Sequence, residues 1–422
     1  MKKKSVLSLI CLLLAALMLV SFASCGVVPK ASALSLSSGY TRQTAETGEV
    51  TEAFTASLSD FSFDLLHGAL RDSDSGDNIL ASPLSAFLCL SLVTNGASGE
   101  TLTQLENLLG MEIEDLNKAL YAYTRSLSST DDCKVKMANS VWFRDIETLH
   151  VKESYLQTSA DWYDAEQFAA PFDLSTVKEI NGWVEDNTDG IIDSIIDDPS
   201  AIQGSVMYLI NTLVFDAKWM VEYEKKQIRD DSFHNYDGSK TAVKMLCSDE
   251  GIVLRPENGI GFAKKYKGGN YSFVALLPDK GKDIYDFAAS LDGENWLSMW
   301  NAKEYHPANV KIPEFSYESD FGLKKTLEAL GTTDMFDEYK ADFSALATSE
   351  NGNIYCSGVH QKCFIDVSRS GTKAAAVTWA DMTDGAAEPT SPVNIFLDRP
   401  FVYAIVDNTT GLPLFLGIVH TL

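Results

Sequence analysis

The spacing that most suggests a function lies near the carboxyl end, in residues 372–383. Every second residue from Thr372 to Met382 is small or apolar and uncharged, whereas the intervening positions carry a lysine and an aspartate. This two-residue period is that of a β-strand with one dry and one solvated face. Residues 384–392 contain glycine and two prolines, which is typical of an exposed loop. Two interpretations follow: a strand that inserts into a sheet only under some condition, or an ordinary strand followed by a long turn.

Local motifs for catalysis or metal binding do not occur in the sequence. The cysteines show no CxxC spacing and the six histidines form no HExxH motif, so neither a zinc site nor a disulfide framework is indicated. There is also no GxSxG elbow, Walker loop or GxGxxG element. We therefore expect no enzyme activity, no cofactor and no metal, and we expect the cysteines after Cys25 to be mostly buried free thiols.

The charge of the chain limits its partners. Asp and Glu number 59 against 34 Lys and Arg, which gives a net charge of −25. This argues against nucleic acid or an anionic lipid surface as a partner. The composition is even and shows no internal repeat, so length alone does not settle the number of domains.

The amino-terminal residues predict export. Three lysines at positions 2–4 precede an apolar run over residues 6–20, which has the order of a secretory signal and is short for a bilayer span. We predict a signal peptide at 1–24 and a flexible tether at 25–50, where Ser, Ala, Thr and Gly predominate.

Residues 22–25 read Phe-Ala-Ser-Cys and resemble a bacterial lipoprotein cleavage box, in which Cys25 becomes the lipidated amino terminus. The alternative is a signal peptide that happens to contain a cysteine. A single lipidated terminus anchors a protein without spanning the membrane. We therefore expect an extracellular protein, either tethered to the outer face of the bacterial membrane through Cys25 or secreted.

Hydrophobic periodicity predicts an α+β fold with largely antiparallel sheets. A helical stripe covers 54–70, and Ser82 before Pro83 indicates a second helix start in which the serine hydroxyl could cap free amides. Helices are concentrated early and strands late in the chain. The predicted strands are 135–143, 208–215, 271–277 and 310–317, and a hairpin over 401–418 turns near 408–411.

Seven blocks of sequence, in order, resemble the serpin family along almost the whole of residues 51–422. The resemblance implies a serpin domain over that range, with three β-sheets, about nine helices and an exposed reactive-centre loop at about 371–392. The blocks are 78–85 (NILASPLS), 96–101 (GASGET), 139–143 (NSVWF), 180–184 (INGWV), 211–219, 312–315 (IPEF), and 399–401 (RPF) with 414–417 (LFLG).

The function that the resemblance implies is suicide inhibition of a serine protease, with a cysteine protease as the alternative target. The protease attacks a bait bond in the loop, and the severed loop inserts into the central sheet while the protease remains covalently attached. The expected inhibitor is a monomer. The alternative is a non-inhibitory serpin that acts as a binding or chaperone module.

The segment from Gly371 resembles the hinge of an inhibitory serpin. No inward hinge position carries a charge or a proline, either of which would impede insertion. Arg369 and Ser370, just upstream, stand where acidic residues are usual in the family, so the anchoring of the hinge at rest differs here. The expected hinge residues are Gly371, Thr372, Lys373, Ala374, Ala375, Ala376, Val377 and Thr378.

Five further positions match serpin residues that control opening of the sheet. Ser82, Ser85 and Asn211 match shutter positions, where side chains bond beneath the central strands, and Trp219 matches the aromatic residue where insertion begins. Gln361 aligns by its spacing from Gly371 with the usual shutter histidine. His360 cannot substitute for it, because adjacent strand residues face opposite sides.

Family spacing from Gly371 places the bait bond at Gly385–Ala386, with Asp384, Ala387 and Met382 as alternatives. No Lys or Arg lies between Lys373 and Arg399, so a trypsin-like protease has no side chain for its acidic pocket. Small residues favour an elastase- or subtilisin-like target.

Overall fold

The protein is described here by a computed structural model, which covers residues 33–40, 42, 48–202, 204–372 and 391–422. Nine α-helices occur in these residues. They are α1 Glu52–Asp72, α2 Pro83–Thr94, α3 Gly99–Leu109, α4 Ile113–Ser126, α5 Glu153–Tyr163, α6 Leu174–Asn187, α7 Ile284–Ala289, α8 Gly293–Asn301 and α9 Lys324–Ala329.

The strands of the same residues are mostly antiparallel. They are β1 Leu34–Ser35, β2 Ile79–Ala81, β3 Cys133–Arg144, β4 Leu149–Val151, β5 Glu166–Ala170, β6 Met207–Lys218, β7 Ile228–His234, β8 Lys240–Leu254, β9 Gly259–Lys265, β10 Tyr271–Pro278, β11 Glu304–Pro313, β12 Phe315–Gly322, β13 Ala347–Ser349, β14 His360–Val367, β15 Gly371–Thr372, β16 Val393–Phe396, β17 Phe401–Asp407 and β18 Pro413–Val419.

Hydrogen bonding arranges the strands in two large sheets and two pairs. The main sheet has the order β1-β5-β3-β6-β15, and a nine-stranded sheet has the order β16-β11-β8-β9-β10-β17-β18-β2, with β7 beside β8. Two further pairs are β12-β14 and β13-β4. The nine-stranded sheet carries the core, since β10, β17 and β18 are buried throughout. The strand predicted over 310–317 is in fact two strands, β11 and β12, which separate at Glu314.

The two predicted helices form where expected, but the cap proposed for α2 is wrong. Thr51 caps α1 by accepting a hydrogen bond from the Phe54 amide. The Ser82 hydroxyl makes no cap and donates instead to the Leu414 carbonyl, 3.0 Å away. Ser82 is buried against β18, so its hydroxyl meets that carbonyl rather than the free amides of α2.

The segment predicted as a tether is partly attached to the main sheet. β1 pairs with β5, and the Leu36 amide donates to the Gln167 carbonyl at 2.8 Å. The Ala33 amide donates to Glu179 Oε2 at 2.8 Å. Backbone pairing of this kind needs no hydrophobic period, so composition did not predict it. The predicted signal peptide and Cys25 lie outside the described residues.

Few groups outside the main sheet suggest chemistry. Cys89, Cys133, Cys247, Cys356 and Cys363 are free thiols, and burial raises the pKa of Cys89 and Cys363 to about 12, so both remain protonated. Within the described ranges, no cluster of three or more His, Cys, Asp or Glu could hold a metal. Across those same ranges, every helix is too short or too polar to cross a membrane.

Candidate functional site

The strands β6 and β14 face each other across a groove, which we call the slot. β6 pairs along one edge with β3. Along the other edge its pairing within the described residues is with β15, at Ala217 and Lys218. β14 pairs with β12. No ladder joins β6 to β14 among the residues that the structure describes. Two strand edges that face each other in this way can accept another strand between them.

A cavity of about 70 Å³ lies in the slot and brings predicted site residues together. Its walls include Ser82, Ser85, Asn211 and Gln361, which the sequence places far apart. Thr372 also lines it. Four of the five predicted shutter and insertion residues therefore surround one space with the start of the hinge.

A tight turn at residues 368–371 reverses the chain at one end of the slot, which we call its upper end. The Ser368 amide donates to the Gly371 carbonyl at 2.9 Å, and the Gly371 amide donates to the Ser368 carbonyl at 3.2 Å. Gly371 has a φ of 143°, and a Cβ there would lie 2.2 Å from the Ala217 carbonyl oxygen. Only glycine fits this turn without strain.

The turn directs the first two hinge residues into the main sheet. Gly371 and Thr372 form β15, whereas the sequence placed the start of an exposed loop at about residue 371. The difference arises because the turn closes against β6, a contact that no local pattern reveals. The remaining expected loop residues lie outside the described residues: Lys373, Ala374, Ala375, Ala376, Val377, Thr378, Met382, Asp384, Gly385, Ala386 and Ala387.

Thr372 is inward-facing and fully bonded. Thr372 is only 4% exposed, and its hydroxyl and the Tyr266 hydroxyl form a hydrogen bond of 2.9 Å. Burial raises the pKa of Tyr266, so this phenol remains protonated and able to donate. Sequence reasoning missed Tyr266, because an isolated tyrosine after a strand carries no local signal.

Trp219 holds the turn from the other side. Its indole Nε1 donates to the Ser368 carbonyl at 2.9 Å, and its amide donates to the Ser370 carbonyl at 3.1 Å. The indole stacks on Tyr266 with ring centroids 4.6 Å apart and an interplanar angle of 8°. The matched aromatic therefore contacts both the turn and the tyrosine that binds Thr372.

Arg369, which stands where an acidic residue is usual, is anchored through its backbone. Its amide donates to Glu314 Oε1 at 3.0 Å, and its carbonyl accepts from the Tyr223 amide at 3.1 Å. The Arg369 side chain itself is exposed. A carboxylate from the β11–β12 junction thus binds the turn that Arg369 and Ser370 form.

The end of β6 beside the turn is held by an ion pair. Lys218, opposite Gly371 in the ladder, donates to the Asp132 carboxylate. This hydrogen bond lowers the pKa of Asp132 below its usual value. The Asp132 carboxylate is therefore ionised at neutral pH, and the hydrogen bond joins the end of β6 to the residue before β3.

Gln361 joins β14 to the start of α2. Its Oε1 accepts from the Ser82 amide at 3.0 Å, and its Nε2 donates to the Ser82 carbonyl at 2.8 Å. Gln361 is 6% exposed, whereas its neighbour His360 is exposed. The amide therefore makes two bonds at this position, and His360 faces the other way.

Asn211 bonds away from the other shutter residues. Its Nδ2 donates to Asn139 Oδ1 at 2.7 Å, and Asn139 in turn donates to the Tyr163 carbonyl at 2.7 Å. Asn211 Oδ1 and Thr212 Oγ1 are buried with no hydrogen-bond partner among the described residues. Each unpaired buried polar atom costs about 1–3 kcal/mol. Ser85 contributes to the cavity wall.

This arrangement is typical of a class of protein whose main sheet can accept a further strand. In the part of the chain that the structure describes, two strand edges face each other without a ladder between them, and the chain turns into that space at Gly371. A family model, Serpin (serine protease inhibitor), matches residues 56–422. The chain belongs to the serpin family, and the nine helices and the sheets of its described residues form the serpin fold that the sequence predicted.

Two similar proteins, one of them solved in two states, support this membership. Tengpin, a thermophilic serpin solved in its native state, is 40% identical, with a TM-score of 0.85 over 93% of this chain and 100% of that one. Its latent state is 39% identical, with a TM-score of 0.79 over 89% and 100%. Serpin-Z2A of Triticum aestivum is 30% identical over 359 residues, which cover 81% of this chain and 89% of the relative.

Proposed function

We propose that this serpin is a suicide inhibitor of a serine protease with elastase- or subtilisin-like specificity. Serpins are generally protease inhibitors. The observation that supports inhibition in this chain is the start of the hinge. Thr372 lies buried at the upper end of the slot, in antiparallel register with β6, so the residues after it can continue along the same edge.

The proposed mechanism uses the protease's own chemistry. Its serine attacks the carbonyl carbon of Gly385, the bond to Ala386 breaks, and the Ala386 nitrogen takes a proton and leaves. The protease is then an ester on Gly385. Residues 373–385 follow Thr372 into the slot, and about thirteen residues at about 3.3 Å each carry the protease some 43 Å before water can hydrolyse the ester.

The proposed target follows from the residues around the bait bond. Residues 374–398 contain neither lysine nor arginine, so a protease with an acidic specificity pocket lacks its charged partner. Gly385, Ala386 and Ala387 suit a shallow pocket. Asp384 and Met382 would instead suit an acid-specific and a chymotrypsin-like protease.

The test is incubation of the protein with pancreatic elastase, subtilisin and trypsin, read on a denaturing gel and by mass spectrometry. We expect a complex of serpin plus protease that survives denaturation with elastase or subtilisin, and a released fragment of residues 386–422. Cleavage only outside 384–387, or efficient trapping of trypsin, would contradict the target. Cleavage without any complex would instead favour the binding or chaperone module.

We also propose export and lipidation at Cys25, on the basis of residues 2–25. Incorporation of labelled palmitate into the full chain, lost in Cys25→Ser, is the expected result. Equal palmitate incorporation in the variant would contradict lipidation at Cys25. A mature amino terminus at another residue would indicate a secreted protein without a lipid anchor.

A further inference from the structure

A buried ion pair lies directly behind the aromatic residues of the upper end. Lys264, on β9, is 3% exposed, and its Nζ is 2.7 Å from Glu250 Oε1 on β8. Removing two charges from water costs several kcal/mol, and a well-packed apolar pair is often at least as stable. Stability alone therefore gives no reason for a lysine at this position.

The Lys264 ammonium faces two aromatic rings. Its Nζ lies 4.6 Å from the ring centroid of Tyr223 and 5.4 Å from that of Trp219. Both distances are within the range of a cation–π interaction, which strengthens when the cation is desolvated. Tyr223 and Trp219 pack edge to face, with centroids 6.5 Å apart.

Glu250 completes the restraint on Tyr223. Ser248 Oγ donates to Glu250 Oε1 at 2.6 Å and lies 3.1 Å from the Tyr223 hydroxyl. The cation thus holds the face of the tyrosine ring, and the carboxylate holds its hydroxyl through Ser248. With both ends restrained, the ring has a single orientation.

Both aromatic residues bind the turn that leads to the hinge. The Tyr223 amide donates to the Arg369 carbonyl, and Trp219 Nε1 donates to the Ser368 carbonyl. Lys264 does not contact the turn. Its effect on the hinge would therefore pass through the indole of Trp219 and through the backbone of Tyr223.

We propose that Lys264 is a positioning residue for loop insertion. Its buried ammonium, neutralised by Glu250, fixes Trp219 and Tyr223 in the orientation that receives the turn at 368–371. This inference rests on the proposed inhibitory function. Without the cation, the turn is held less rigidly and the strand that follows it inserts more slowly. More of the acyl-enzyme is then hydrolysed before insertion, and more inhibitor is consumed per protease trapped.

The test uses the double variant Lys264→Met/Glu250→Gln, which removes both charges, preserves side-chain length and keeps an acceptor for Ser248. We expect its thermal midpoint to equal or exceed that of the wild type. Its stoichiometry of inhibition, measured with the same protease, gives the ratio of cleaved to trapped inhibitor. This ratio should rise at least about fivefold, which corresponds to about 1 kcal/mol for the loss of a cation–π contact.

Lys303→Met is the matched control. Its Nζ also lies over an aromatic ring, 4.6 Å from the centroid of Trp300 on α8, but this pair does not contact the turn. Its stoichiometry should remain at the wild-type value. An unchanged stoichiometry in the double variant would overturn the proposal, as would a rise that only accompanies a lower thermal midpoint or a failure to fold. If the wild type itself forms no complex with any protease, the proposed function fails instead.

Discussion

The slot can be compared at its upper end and at its middle, by which we mean β6 at Asn211 and Thr212. These two regions differ in whether the named buried polar side chains have hydrogen-bond partners. At the upper end, Trp219 Nε1, Tyr266 and Thr372 all have partners, and the chain there already forms a strand. In the middle, Asn211 Oδ1 and Thr212 Oγ1 have none among the described residues. In the proposed mechanism, insertion would therefore start from a bonded upper end and would gain most of its stabilisation further along β6.

The largest expected effect tests the middle of the slot. Cleavage of the loop allows a strand to form about ten ladder hydrogen bonds at roughly 1 kcal/mol each, so the thermal midpoint should rise by on the order of 10 °C. Calorimetry before and after limited elastase cleavage measures it. An unchanged midpoint would mean that the loop does not enter the slot. The difference between the upper end and the middle of the slot would then have no bearing on insertion.

Thr372→Arg tests the upper end. An unpaired guanidinium in place of the buried hydroxyl should slow insertion below deacylation and raise the stoichiometry of inhibition more than about tenfold. Thr372→Ser keeps the hydroxyl that bonds Tyr266 and serves as the control. A wild-type stoichiometry for the arginine variant would show that this position does not face inward during insertion.

Gly371→Ala tests the upper end of the slot through the backbone of the turn. The added methyl would meet the Ala217 carbonyl in a conformation that strains an L-residue by about 1–3 kcal/mol, so the stoichiometry should rise roughly fivefold. Gly182→Ala on α6, where a Cβ meets nothing within 4 Å, should leave it unchanged. If both variants had the same stoichiometry of inhibition, the tight turn at 368–371 would not be required for insertion.

The smallest effect concerns Gln361. Gln361→Ala leaves the Ser82 amide unpaired, although the Ser82 carbonyl still accepts from the Ala86 amide, and should lower the free energy of unfolding by about 2 kcal/mol. His360→Ala, at the exposed neighbour, should change it by less than about 0.5 kcal/mol. Urea unfolding compares them, and similar losses would mean that Gln361 does not join β14 to α2.

Local patterns predicted the elements but not their junctions. α1 and β6 were predictable because their apolar residues follow the helical and strand periods. The turn at 368–371 was not, since it depends on Ala217 and Trp219, roughly 150 residues earlier in the chain. β1 was missed for a similar reason, because its pairing is made by backbone alone.

The candidate site divides in the same way. Resemblance named Ser82, Asn211, Trp219 and Gln361 individually, but it did not name the partner of Asn211, which is Asn139. Lys264 could not be singled out, because it precedes another lysine and a charged pair usually indicates a solvated surface. Only the structure shows that the first is buried and the second exposed.

The central claim is that the slot between β6 and β14 receives the cleaved loop. Hydrogen–deuterium exchange before and after elastase cleavage tests this most directly. The amides of β6 and β14 that face the slot should become strongly protected, while β10 and β17, each paired on both sides already, should not change. Equal exchange in β6 and β14 before and after cleavage would contradict the account.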